Sequence, residues 1–293
     1  MRLGLTGSTL SKQSQDFWRY RIIAWFVALV VFMAVLFVGF RWIERAMTFH
    51  PVRYAPGEAW TLPQGAEDVW FSTADGVRLH GWFFPANPNA ATVIYFHGNG
   101  GNVSHIGWVG ERLNSIGLNV LLFDYRGYGR SEGTISDEAG IYADADAAYD
   151  FVVKMKAANP QRLILYGQSL GTAAATDLAS RRECAGIILE SGLSSARDVA
   201  RNVFPWLPRV FHRVGRNRFD SVAKLAQVNC PVLITHGDPD PVIPSEQAHA
   251  LFAAAPEPKK LLIFPGAGHN VFGSLGKKYL DQLETFIRAV VKS

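Results

Sequence analysis

The pentapeptide Gly167-Gln168-Ser169-Leu170-Gly171 stands between an apolar run, Leu163-Ile164-Leu165-Tyr166, and an alanine-rich stretch over residues 172–180. A short apolar run bounded by turn residues predicts a buried strand, and the alanine-rich stretch predicts a helix. A serine between glycines at a strand-to-helix junction has the form of a nucleophile elbow. The turn leaves no room for a β-carbon on either side, so glycines flank it and the hydroxyl projects outward. The helix then directs its unsatisfied N–H groups toward any oxyanion that forms beside the serine. The same five residues could also be a plain Gly-Ser linker; the strand before and the helix after them favour the elbow.

A serine hydroxyl attacks an acyl carbon at neutral pH only with a base, and the base needs an orienting acid. Two further strand candidates end in polar loops. Pro231-Val232-Leu233-Ile234-Thr235 runs into His236-Gly237-Asp238-Pro239-Asp240-Pro241, and Leu261-Leu262-Ile263-Phe264 runs into Pro265-Gly266-Ala267-Gly268-His269-Asn270. Open α/β sheets place their sites beyond the carboxyl ends of such strands. The order serine, aspartate, histidine along the chain is the one expected of α/β-hydrolases. Two aspartates compete for the acid role: Asp238 could instead bond its own turn, whereas prolines on both sides of Asp240 restrict the direction of its carboxylate. His236 is read as a structural histidine closing the strand end. His50, His80, His105, His212 and His249 show no metal-ligand spacing and are read as surface or packing residues.

An oxyanion hole needs two donors. One is expected from the Leu170 N–H, directly after the serine, and the other from a loop after an earlier strand. Thr92-Val93-Ile94-Tyr95-Phe96 followed by His97-Gly98-Asn99-Gly100-Gly101-Asn102 supplies that loop, and Asn99 is the expected second donor. No phosphate-binding glycine pattern follows a strand, so nucleotide binding is not expected.

These residues, together with Asp75-Gly76-Val77-Arg78-Leu79-His80-Gly81-Trp82 and Asp124-Tyr125-Arg126-Gly127-Tyr128-Gly129-Arg130-Ser131-Glu132-Gly133, give the chain a family resemblance from about residue 50 to its end. It resembles an α/β-hydrolase of the membrane-anchored branch that includes the α/β-hydrolase-domain depalmitoylases and related bacterial serine hydrolases. The resemblance implies an α/β fold with a mostly parallel sheet of about eight strands flanked by helices, a short lid and an N-terminal transmembrane helix. It assigns Ser169, Asp240 and His269 to a triad and Asn99 and Leu170 to the oxyanion hole. The 124–133 segment becomes a structural loop beside the site, without a catalytic role. The substrate is not implied, because this fold hosts many chemistries.

The chain has 293 residues, a formal net charge of +4, 18% charged residues and two cysteines. That length suits one large α/β domain plus an anchor, and the low charge content suits a sheet buried on both faces. Neither the modest charge nor any motif points to nucleic acid. Residues 22–40 are uncharged and bounded by Arg21 and Arg41, with Trp18, Tyr20, Trp25 and Trp42 near the ends. At about 1.5 Å per residue the run nearly spans a hydrocarbon core of about 30 Å. A cleaved signal peptide is the rival reading; the run is long for one, and no small-x-small site precedes residue 41. Arg2, Lys12, Arg19 and Arg21 before the run outnumber Arg41, Arg45 and Arg53 after it, which favours a cytoplasmic N-terminus and an extracytoplasmic catalytic domain.

The expected organisation is a tail over 1–21, the anchor over 22–40, a linker and approach segment over 41–66, and a catalytic domain over 67–293. Within that domain, strand and helix patterns alternate. A hairpin is expected around Ala74-Asp75-Gly76, with helices over 103–116, 138–158 and 275–291. In the second of these helices Asp144, Asp146 and Asp150 read as a solvated face. Residues 193–228 interleave Phe204-Pro205-Trp206-Leu207-Pro208 and Phe211 with Arg197, Arg201, Arg209, Arg213, Arg216 and Arg218, as either a helical excursion or a short lid with an acyl-facing apolar side and a basic side for anionic lipid. The resemblance makes the strands that follow Cys184 and Cys230 neighbours, so the two cysteines are either packed thiols or a bridge.

The whole predicts a membrane-anchored serine hydrolase acting on carboxylic esters or thioesters, lipid-like ones included, with no cofactor or metal and no oligomeric state implied. Acyl transfer or peptide hydrolysis by the same triad, and a non-catalytic membrane scaffold, are the alternatives.

Overall fold

A computed structural model of the chain describes residues 7–57, 60–203, 205–206 and 215–291, with side chains from residue 15 onward. It divides into two compact units, Met1–Thr48 and Phe49–Ser293. The first holds one helix, α1 (Gly7–Thr48). Within its segment Gln15–Thr48 an 18-residue apolar window has a mean hydropathy of 2.9 and none of it is buried. The apolar run over 22–40 therefore lies inside a longer helix, and the first residues of the expected linker belong to it. Arg41 and Glu44, one turn apart, form an ion pair that supports this extension.

The second unit is built on an eight-stranded sheet: β1 (Glu67–Ser72), β2 (Arg78–Phe84), β3 (Thr92–Phe96), β4 (Asn119–Phe123), β5 (Leu163–Gln168), β6 (Gly186–Glu190), β7 (Val232–Asp238) and β8 (Lys259–Pro265), in the spatial order β1-β2-β4-β3-β5-β6-β7-β8. Only β2 runs antiparallel to its two neighbours; all other pairings are parallel. Among the described residues the helices are α2 (Val103–Asn114), α3 (Glu138–Asp150), α4 (Gly171–Ala179), α5 (Ala196–Val203), α6 (Ser221–Leu225), α7 (Glu246–Ala254), α8 (Val271–Leu275) and α9 (Lys277–Val290).

The apolar residues of the central strands alternate between two cores. Ile94, Phe96, Leu165, Ile187 and Ile234 face α3, α4, α6 and α7 on one side. Val93, Tyr95, Ile164, Tyr166, Ile188 and Leu233 face α2, α8 and α9 on the other. Successive strand side chains point to opposite faces, so a strand covered on both sides must be apolar at every position. Each fully buried Val, Leu, Ile or Phe contributes about 1.5–3 kcal/mol of transfer free energy.

The structure corrects one expectation about charge. Asp146 and Asp150 lie toward the surface, but Asp144 is fully buried. Its carboxylate accepts the Arg126 N–H at 2.7 Å and the Arg126 Nε at 2.9 Å. Helical spacing identifies which residues share a face, but not which of them meets an arginine from a distant loop.

Two helix expectations also change. The helix begun at Glu138 ends its regular turns at Asp150 and closes with a single wider turn over Phe151–Met155. The C-terminal helix is divided at Gly276, which adopts φ +50° between α8 and α9.

The 193–228 segment divides by burial. Leu193, Ser194, Asn217, Phe219, Ser221, Leu225 and Val228 are buried, so its two ends belong to the domain. Trp206 is 76% exposed. Phe204, Leu207, Pro208, Arg209, Phe211, His212 and Arg213 lie outside the described residues.

Cys184 and Cys230 are free thiols with sulfurs 3.2 Å apart. The register Ile187↔Val232 brings the two strand starts side by side. The contact between the thiols, and then burial, pushes the Cys184 pKa well up, so it is a poor nucleophile. A cleft of 340 Å³ lined by these cysteines, Arg181 and Arg182 lies at this end of the strands. The polar loops that follow β3, β5, β7 and β8 lie at the opposite, carboxyl end.

Candidate active site

Ser169 occupies the turn between β5 and α4 with φ +53°, a left-handed conformation that costs a non-glycine residue about 1–3 kcal/mol. The surroundings hold it there. Its N–H donates to the Glu190 carbonyl at 2.9 Å, and its carbonyl accepts the Thr172 N–H at 3.0 Å and the Thr172 hydroxyl at 2.7 Å. The neighbouring glycines are required by close approach. A β-carbon on Gly167 would lie 2.4 Å from the Gly171 carbonyl oxygen, and one on Gly171 would lie 1.9 Å from that of Phe96.

These distances give an ordered prediction. In Gly171→Ala the new methyl meets rigid backbone of β3, whereas in Gly98→Ala it meets chiefly the movable end of Gln168, at 2.4 Å. Gly171→Ala is expected to lose at least about 1–3 kcal/mol of stability, with Gly98→Ala milder; chemical denaturation of the two variants gives the comparison. Equal losses would mean that the β3 backbone yields without strain.

His269 follows β8 and Asp240 follows β7, and the loops bring both to Ser169. The Ser169 Oγ is 3.0 Å from His269 Nε2, and His269 Nδ1 is 2.7 Å from Asp240 Oδ2. The other carboxylate oxygen of Asp240 accepts the Val242 N–H at 2.8 Å and the Ile243 N–H at 3.0 Å. His236 Nε2 lies 3.3 Å from Asp240 Oδ2 and 2.8 Å from the Ile243 carbonyl. A carbonyl can only accept, so Nε2 carries the proton on His236. Burial works to raise the Asp240 pKa, but the hydrogen bonds from His236, His269, Ile243 and Val242 outweigh it and hold the carboxylate well below its usual range. Asp238 is exposed, and its main-chain carbonyl accepts the Gly266 N–H. His269 therefore pairs with Asp240, not Asp238.

The loop after β3 packs against the elbow: a β-carbon on Gly98 would lie 3.3 Å from the Ser169 Cβ. His97 donates from Nδ1 to the Gly98 carbonyl at 2.7 Å, and burial keeps its pKa below that of an ordinary imidazole. The Asn99 side-chain oxygen accepts the His50 N–H at 3.1 Å and the Tyr128 hydroxyl at 2.9 Å. That hydroxyl is also 3.2 Å from the Asn99 carbonyl. Tyr128, read from sequence only as part of a structural loop, thus fixes the residue expected to supply the second oxyanion donor. Leu170 stands at the N-terminus of α4, where the first N–H groups precede the intrahelical ladder. Among the described residues no group of His, Cys, Asp and Glu is arranged to hold a metal ion.

Residues 87–224 match the family described as serine aminopeptidase, S33. An uncharacterized protein of Mycobacterium tuberculosis, Rv2307c, is 36% identical over 266 residues, covering 89% of this chain and 93% of that protein. Alpha/beta hydrolase domain-containing protein 17C of Mus musculus is 38% identical over 229 residues, covering 76% of this chain and 68% of the mouse protein. The chain belongs to the α/β-hydrolase superfamily. The Pyrococcus furiosus esterase Pf2001 shares this α/β-hydrolase fold with a TM-score of 0.67 at 19% identity, over 84% of this chain and 98% of the esterase. In this α/β-hydrolase the parallel pairing of β3, β5, β6, β7 and β8 places the loops after β3, β5, β7 and β8 at the same, carboxyl end of the sheet.

Proposed function

We propose that the protein is a membrane-anchored serine hydrolase that cleaves carboxylic esters or thioesters through an acyl-enzyme intermediate. The observation that carries this reading is the hydrogen-bonded line from Ser169 Oγ through His269 to Asp240, at 3.0 and 2.7 Å. His269 Nε2 takes the proton as Ser169 attacks the acyl carbon, and Asp240 orients the ring and stabilises the imidazolium. The N–H groups of Leu170 and Asn99 bind the oxyanion. His269 then returns the proton to the leaving oxygen or sulfur. Water activated by the same imidazole releases the acid and frees Ser169.

A fluorophosphonate probe tests the nucleophile, and a panel of esters and thioesters of increasing acyl length tests the substrate class. Labelling at Ser169 with turnover of the panel is expected; an unlabelled, inactive protein would leave the scaffold reading. The description of the matched family as aminopeptidase favours a second arm of the panel with amide and peptide substrates. Faster cleavage of amides than of matched esters would make peptide hydrolysis the activity.

The anchor reading is supported by the length, hydropathy and full exposure of the apolar window in α1. An unburied apolar helix of this size needs lipid or another apolar surface to cover it. The basic residues before the window favour export of the catalytic unit. The full chain is expected to stay with membranes after alkaline washing and to need detergent for extraction. A chain lacking residues 1–48 is expected to be soluble and to keep its turnover, because every site residue lies in the second unit. Recovery of the intact chain in the soluble fraction would sink the anchor, and a mature N-terminus past Phe40 would show a cleaved signal.

A further inference from the structure

Glu190 is the last residue of β6 and is fully buried. It lies in register with Gln168, one residue before the elbow serine, and its carbonyl accepts the Ser169 N–H at 2.9 Å. Its side chain reaches a different element. One carboxylate oxygen accepts the Phe272 N–H at 2.9 Å. Val271 and Phe272 open α8, and the next N–H, that of Gly273, is taken by Asn270 at 2.8 Å. The first turn of α8 is therefore held by Glu190 and Asn270 together, directly after His269.

The second carboxylate oxygen accepts the Tyr166 hydroxyl. Tyr166 also approaches the Tyr279 hydroxyl at 3.4 Å, and Tyr279 lies 2.6 Å from the Thr235 hydroxyl. Thr235 immediately precedes His236, which contacts Asp240. One buried polar network thus touches the strand that ends in the nucleophile, the strand that leads to the acid, and the helix that follows the histidine.

An ionised carboxylate inside a protein costs several kcal/mol of solvation unless hydrogen bonds or charges replace the water. Its hydrogen-bond partners are uncharged: a backbone N–H in the first turn of α8 and the Tyr166 phenol. Burial raises its pKa, and the Tyr166 hydroxyl, the backbone at the start of α8 and the charge of His269 oppose that rise. Packing alone would be better served by an apolar side chain at this position.

We propose that Glu190 is a positioning residue for His269: its carboxylate fixes the first turn of α8, and through it the loop that aims the imidazole at Ser169. The elbow and the histidine loop are then held to one residue, Ser169 by the Glu190 carbonyl and α8 by the Glu190 side chain. The catalytic consequence rests on the proposed triad; the contact with α8 does not.

Glu190→Gln and Glu190→Met in the full chain, purified in detergent, test the idea. The amide keeps an acceptor for the Phe272 N–H, and the thioether offers only a weak one. kcat is expected to fall about tenfold in Glu190→Gln and about 100-fold in Glu190→Met, the scale of a misplaced catalytic group, with KM within about twofold of wild type. Fluorophosphonate labelling should slow in parallel yet still reach one label per chain, which separates misalignment from unfolding. Hydrogen exchange over residues 270–275 should quicken in both variants, while β5 and β6 keep their protection. If Glu190→Met does not fold, Glu190→Gln decides: wild-type kcat together with wild-type exchange at Phe272 overturns the proposal. If wild-type Ser169 fails to label, the triad reading falls, and the exchange rates still decide whether Glu190 holds α8.

Discussion

Ser169→Ala is expected to abolish fluorophosphonate labelling and to lower ester turnover by about 10⁶-fold, the loss seen when a triad nucleophile is removed, while the domain stays folded. The backbone bonds that hold the elbow, from the Ser169 N–H to Glu190 and from Thr172 to the Ser169 carbonyl, do not involve the hydroxyl. The substitution removes the hydrogen bond between the hydroxyl and His269 Nε2, at 3.0 Å. The change in stability should therefore stay near that of a single hydrogen bond, about 1 kcal/mol, and thermal melting of the variant reads it. Labelling that survives the substitution would move the nucleophile elsewhere. Turnover lost together with cooperative unfolding would make the serine a structural residue.

Asp240→Asn is expected to cost about 10⁴-fold in turnover, and the hydrogen-bond pattern says why. In the wild type one carboxylate oxygen takes the Val242 and Ile243 N–H groups and the other takes His269 Nδ1. An asparagine has a single acceptor oxygen, and the two backbone donors claim it. Its NH₂ group then faces His269, which must turn Nδ1 into an acceptor and carry its proton on Nε2. That tautomer cannot take a proton from Ser169. The same NH₂ group also meets the protonated Nε2 of His236, donor against donor. Asp238→Asn should stay within about threefold of wild type, because Asp238 uses its backbone carbonyl and leaves its side chain exposed. Steady-state kinetics on the two variants checks the assignment, and a reversal of the two effects would transfer the acid role to Asp238.

The elbow was legible in the sequence because its signals are local. Gly167, Ser169 and Gly171 are close neighbours along the chain, and steric demands of a single turn select them. The strands were legible for a similar reason, since β5 and β6 are continuous apolar runs bounded by polar or glycine residues. The long uncharged run over 22–40 also announces itself by length. Each of these properties belongs to a short window of chain.

What the sequence left open depends on which distant segments meet. The family resemblance pointed to Asp240 rather than Asp238, but not to the loop after β7 that turns the Val242 and Ile243 N–H groups onto its carboxylate. Asp144 follows a helical pattern that fits a solvated face, yet Arg126, 18 residues away, draws it into the interior. Tyr128 and Glu190 carry no motif of their own. Tyr128 bears on the oxyanion loop only because β3 and β4 are neighbours, and Glu190 reaches α8 only because β6, β7 and β8 pair in parallel. A hydrogen bond between residues 82 apart leaves no periodicity or spacing to detect. The sequence by itself thus determined the local turn, the strand and helix segments and the order of the reactive residues. Tertiary structure alone decided which backbone groups hold the Asp240 carboxylate against the histidine and which buried groups hold the loops in place.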